Sequence, residues 1–129
     1  MRSVLRPAAV LVAVGAATAV VAAVDPNQAG HYPTCPFLFV TGWYCPGCGS
    51  LRAVNALAHG DAATAFARNP LLVLSLAVLA VIWARWARRS WLGSARTTAA
   101  PSWVGWTFLG VVCAFWVLRN LPGFTWLAP

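Results

Sequence analysis

Residues 44–52, YCPGCGSLR, hold two thiols, Cys45 and Cys48, on a Cys-Pro-Gly-Cys-Gly turn. Proline sets such a turn, and glycine lets backbone N–H groups face thiolate sulfurs, so two soft ligands arrive preorganised on one loop. A tetrahedral metal site takes four ligands. Cys35, itself followed by a proline, is the third candidate, and His31, four residues before it in a turn-rich segment, is the candidate fourth. His59 is the poorer donor, because in a continuous helix it lies about 16 Å beyond Cys48. Thiolate-rich ligation with a single knuckle favours Zn²⁺ over iron.

The same atoms support other chemistry. A Cys-x-x-Cys pair at a helix start is how thiol oxidoreductases exchange disulfides, with Cys45 and Cys48 as the dithiol and Cys35 as shuttle or resolving thiol. Against that, the chain has no alternation of strand and helix patterns and the loop is too short to build a substrate groove. A third reading is a structural disulfide from Cys35 to Cys45 or Cys48 in an oxidising compartment. Cys113, inside an apolar run, reads as a small packing residue. The residues leave metal site, redox dithiol and staple open, and the balance favours a protein that is not an enzyme by itself.

The surroundings are membrane-like. The 129 residues are 60% hydrophobic and 9% charged, too little polar surface to coat a soluble core. All nine basic residues are arginines and the acids are Asp25 and Asp61, giving a net charge of +7. In such a chain that surplus reads as membrane topology and headgroup attraction, not nucleic-acid binding. Apolar runs predict spanning helices over residues 8–24, 70–87 and 102–119, flanked by most of the tryptophans. Arg2, Arg6, Arg85, Arg88, Arg89 and Arg96 fall on one side and Arg52, Arg68 and Arg119 on the other. The positive-inside rule therefore puts the N-terminus and the 88–101 connector in the cytoplasm, and the cysteine loop (25–49) and the tail (120–129) outside. The first run also fits a cleaved signal peptide, since small residues near Ala23 suit a peptidase; either way the cysteine loop faces outward.

Four prolines and four glycines in residues 25–49 predict turns there, not regular structure. Residues 50–68 then turn helical and lie along the interface, with Ser50 as N-cap, Leu51, Val54, Leu57 and Ala58 on the apolar side, Gly60 as a stop, and Asp61 capping a second short turn. Asn69-Pro70 is an N-cap and first-turn proline for the second span. Arg52, Asn55 and His59 share one face, which sets a guanidinium, as well as a helix N-terminus, beside Cys48, and both are expected to lower its thiol pKa. Arg52, Asn69, Arg119 and Asn120 all fall at the outer end, and they are expected to ring the loop in a polar, positive cup suited to an anionic headgroup or a partner's carboxylate.

The ordered motifs CPF at Cys35, CPGCGSLR, HGD, NP at Asn69 and RNLP at Arg119 resemble the bacterial membrane-protein family catalogued as domain of unknown function 2752. The resemblance runs from about Cys35 to Pro122. It implies a small helical membrane protein with a cysteine-rich loop and brings no reaction, substrate or partner. The expectation is thus an all-α integral membrane protein: three spanning helices, a Cys/Pro/Gly-rich extracytoplasmic loop and a short interfacial helical segment. Its expected role is that of an accessory or assembly factor with a zinc-like or disulfide site; its partners are the lipid bilayer and a membrane protein.

Overall fold

A computed structural model describes residues 2–28, 30–93 and 100–128. The centre of the expected cytoplasmic connector, with Arg96, lies outside the described residues. Among them are six α-helices and no strand: α1 (Arg2–Ala23), α2 (Pro36–Thr41), α3 (Ser50–Ala58), α4 (Ala62–Arg68), α5 (Pro70–Trp91) and α6 (Ser102–Leu118), followed by a 3₁₀ segment, Pro122–Leu127.

Within α1, Leu5–Ala23 is long and apolar enough to cross a membrane, as is α5. Only 6% of the first stretch and 0% of the second are buried by this chain, so neither is a buried core helix within it. The 17-residue α6 is shorter but equally apolar. α1 begins before residue 8 and runs through Pro7, which is fully buried and whose carbonyl accepts the Trp83 Nε1–H of α5 at 3.2 Å. α5 runs four residues beyond 87, its last turn carrying Arg88 and Arg89 where cations suit a helix C-terminus.

Two local expectations change, and α3 shows a packed face of its own. The 25–49 loop contains a helix, α2, because Pro36 occupies its first turn and Phe37 to Thr41 follow without interruption until Gly42 (φ 71°) ends it. Ser50 is not the N-cap of α3; Gly49 at φ 81° holds that position, which frees the Ser50 hydroxyl for Asn69. Within the protein α3 buries Ala53, Asn55 and Ala56, while Leu51, on the side expected to face the interface, is 42% exposed. Small residues win there because α3 lies close against α4 through Ala53, Ala56 and Ala65, with Leu57, Leu72 and Val73 around them. Asn55 donates to the Val21 carbonyl at 2.8 Å, fixing α3 on α1.

The two remaining caps form as the sequence implies. Asp61 accepts from Thr64 N at 2.9 Å to start α4, and Asn69 Oδ1 accepts from Leu72 N at 2.9 Å to start α5. The Asn69 side chain is 1% exposed, and its amide reaches back to Pro46 O, Cys48 O and Ser50 Oγ at 3.0, 3.3 and 3.2 Å. One residue thus caps a long helix and holds the cysteine turn. Asn69→Ala is expected to cost about 2–3 kcal/mol, from a lost cap plus three lost hydrogen bonds to the cysteine turn and Ser50, whereas Asp61→Ala costs about 1 kcal/mol from the cap alone. Thermal unfolding in mild detergent measures both, and equal losses would refute the double role of Asn69.

Candidate metal centre

The site is built from three elements. Cys35 precedes Pro36 at the start of α2, Cys45 and Cys48 lie on the turn before α3, and the C-terminal end of α6 closes over the backbone of that turn. The turn is conventional: Cys48 N donates to Cys45 O at 3.0 Å and Ser50 N to Gly47 O at 3.0 Å. All peptides are trans, and Gly47 sits against the Cys45 sulfur, where an added Cβ would fall 3.8 Å from Sγ.

Cys45 Sγ lies 3.2 Å from Cys48 Sγ and 3.6 Å from Cys35 Sγ, and the three ligand atoms are within 4.8 Å of one another. Four sulfurs about 2.3 Å from one tetrahedral zinc stand about 3.8 Å apart, so these spacings bracket what a shared ion requires. All three cysteines are free thiols; Cys48 is buried, Cys35 and Cys45 half-buried. Among the described residues no fourth Cys, His, Asp or Glu joins them. His31 turns elsewhere, its Nδ1 3.0 Å from the Asp25 carbonyl.

The guanidinium beside the knuckle is that of Arg119, not Arg52. Arg119 Nη1 donates to Cys45 O at 2.9 Å and Pro46 O at 3.2 Å, and Nη2 to Cys48 O at 3.2 Å. The side chain is 2% exposed, and its charged plane lies 4.9 Å from the Phe115 ring centroid and 6.0 Å from that of Tyr44. Burial lowers its pKa, while the nearby Cys48, Cys45 and Tyr44 act in the opposite sense. Asn120 pairs with Tyr44 as a neighbouring strand would, accepting from Tyr44 N at 2.8 Å and donating to Tyr44 O at 3.0 Å. Trp116, on the preceding turn of α6, meets Phe37 and Trp43 edge to face at 5.7 and 6.2 Å.

Asn69, Arg119 and Asn120 are therefore brought together, and they point at loop carbonyls, not into an open cup. Arg52 has no hydrogen bond or ion pair among the described residues, while Asn55 and His59 turn toward α1 and their own helix. Tyr44, Ser50 and the carbonyls of Cys45, Pro46 and Cys48 complete the arrangement. A sequence signal for it exists: an arginine ending an apolar helix in a chain with two acids has backbone carbonyls as its natural acceptors.

The thiols are not equivalent. The Leu38 backbone amide draws the Cys35 pKa below the ordinary thiol value, with smaller help from Cys45, Cys48 and Phe37, and burial acting the other way. Contrary to the expected lowering, burial pushes Cys48 up to about 12, reinforced by hydrogen bonding to Cys45 and Cys35. Near pH 7 the metal-free protein therefore has its larger thiolate fraction at Cys35 and a protonated Cys48. Alkylation followed by peptide mass spectrometry is expected to modify Cys35 ahead of Cys48; Cys48 reacting first contradicts this ordering. Arg119→Leu removes one donor from each of three carbonyls that keep a second donor in Asn69 or Cys48 N, costs roughly 1–3 kcal/mol, and speeds labelling of Cys48 as the turn loosens.

No curated protein and no solved structure matches the chain. The match that exists covers α2 to α4, the clustered cysteines and most of α5, and stops short of Arg119. Over residues 35–83 the chain is similar to the family described as Protein of unknown function (DUF2752), the resemblance its cysteine and NP motifs carry.

Proposed function

We propose that the chain is a membrane-embedded accessory or assembly protein whose outer face carries a zinc centre held by Cys35, Cys45 and Cys48. The observation that carries this reading is the meeting of three sulfurs, from two separate segments, within 4.8 Å. A disulfide uses two thiols and leaves one over, whereas one metal ion uses all three. Charge supports the choice of ion. Three thiolates and one dication leave a single negative charge, matched by the buried Arg119 guanidinium, which lies against the same turn. Three protein ligands also leave a fourth position for water or for a donor from a partner protein, the open arrangement of exchangeable zinc sites.

The membrane placement rests on the uncovered apolar surfaces of α1 and α5, with α6 as the third span and the arginine asymmetry setting the cysteines outside. Retention of α1 as a span, and not as a cleaved leader, is supported by its bonds to Asn55 and Trp83. The centre's role is then to lock α2, the knuckle and the end of α6 into one docking surface. Thiol-disulfide exchange through Cys45 and Cys48 is the weaker reading, because Cys48 is buried and its backbone is held by Asn69 and Arg119.

Protein purified in mild detergent is expected to carry about one zinc per chain, released as its thiols are titrated. Cys45→Ser and Cys35→Ser are each expected to lose the metal. Cobalt substitution should give a thiolate-to-metal charge-transfer band with tetrahedral ligand-field absorption. A metal-free protein with a thiol pair that cycles under mild reductant would put the oxidoreductase in its place. Impermeant maleimide on intact cells tests the orientation: protection of Cys35, Cys45 and Cys48 after chelation and reduction contradicts an outer site.

A further inference from the structure

At the end of α5 remote from the cysteines, Arg85, Arg88, Arg89 and Leu92 line a hollow of about 410 Å³. Their spacing of three, four and seven residues places them on one face of the helix and its C-cap. Arg85 and Arg88 are exposed and Arg89 is half-buried. Three guanidiniums within two turns repel one another. The helix C-terminal carbonyls favour cations, but that attraction is confined to the last turn and is worth well under a full counter-charge.

No carboxylate of this chain is free to answer them. The acids in the whole sequence are Asp25 and Asp61. Asp25 is bonded to the amide and side chain of Asn27, and Asp61 caps α4, next to the opposite end of α5 about 33 Å away along the helix axis. Among the described residues no carboxylate supplies the counter-charge, which leaves the face open to an external anion. Its class follows from the setting: the arginines end an uncovered apolar helix, and Trp91 (76% exposed) and Leu92 (66% exposed) adjoin them. Aromatic and aliphatic surface beside a cluster of guanidiniums matches the boundary between acyl chains and phosphates in a bilayer.

We infer that Arg85, Arg88 and Arg89 form a binding site for the phosphodiester headgroup of an anionic phospholipid, with Trp91 and Leu92 against its acyl chains. Guanidiniums bind phosphate oxygens through paired N–H donors, and three of them suit one headgroup with two phosphates or two with one. The site is separate from the cysteine centre and needs no metal. It rests on the membrane placement proposed above.

The test is thermal unfolding of the full chain in mild detergent with added phosphatidylglycerol or phosphatidylcholine. Phosphatidylglycerol is expected to raise the melting temperature by about 5 °C more than phosphatidylcholine, the mass-action effect of a ligand that binds the folded form. The triple variant Arg85→Gln/Arg88→Gln/Arg89→Gln should lose that difference, the single variant Arg88→Gln should reduce it, and Arg68→Gln should keep it. Native mass spectrometry is expected to show phosphatidylglycerol retained on the wild type and lost from the triple variant. Equal shifts with the two lipids overturn the site, as does a shift that survives in the triple variant or disappears in Arg68→Gln. Inorganic phosphate reproducing the shift in phosphatidylcholine would make the ligand a free anion and not a lipid. Alkaline extraction of phosphatidylcholine proteoliposomes reports the membrane placement separately: release of the wild type into the supernatant defeats that placement whatever the lipid preference.

Discussion

The cysteine centre depends on a buried cation that has no carboxylate. Arg119 donates to the carbonyls of Cys45, Pro46 and Cys48, and Asn69 donates to two of the same three. A guanidinium offers five N–H donors in a fixed plane, so it can satisfy several carbonyls where an ammonium would satisfy fewer. The consequence is directional. The peptides are trans, so carbonyls drawn toward Arg119 and Asn69 turn the N–H groups of Gly47 and Gly49 the other way. The turn is held by its back, which leaves its sulfurs free to face Cys35.

Desolvation makes this clamp costly and therefore informative. A buried arginine loses hydration that hydrogen bonds to neutral carbonyls only partly replace, and the lowering of its pKa by burial states that cost. Negative charge close by, as from metal-bound thiolates, would relieve it. The thiols have the complementary difficulty: Cys48 is held protonated by burial until something positive offsets its charge. Each half of the arrangement lacks what the other supplies, and a divalent ion between the sulfurs would complete both.

The sequence made the local parts of this legible. The knuckle, the third cysteine, the Asn69 and Asp61 caps and the three apolar helices follow from spacing and from residue chemistry within a few positions. What it concealed was long-range convergence. Arg119 reaches the knuckle across more than 70 positions of sequence, whereas Arg52, a few residues away, looked like the natural neighbour and turned out to make no such contact. The α2 helix was hidden by a high density of proline and glycine, although proline in a first turn promotes a helix. The packed face of α3 was hidden because size ranks Leu51 above Ala53, while close approach of α4 selects alanine.

The scarcity of acids ties the two ends of α5 together. With Asp25 and Asp61 both used in local turns, every arginine must find carbonyls, solvent, thiolate charge or phosphate. At the Asn69 end the solution is internal: one guanidinium is buried, carbonyls surround it, and the sulfurs lie beside the same turn. At the Trp91 end no carboxylate among the described residues answers the charge, and Arg85 and Arg88 stand exposed beside a half-buried Arg89 on one face. Acidic side chains beside the exposed Arg85 and Arg88 would offset that charge from solvent-facing positions, so its persistence is not imposed by packing. Charge that a helix could easily cancel and does not is charge directed outward. If the uncovered apolar helices lie in a bilayer, as proposed above, the outward neighbour that would supply both acyl chains and phosphate is the lipid itself.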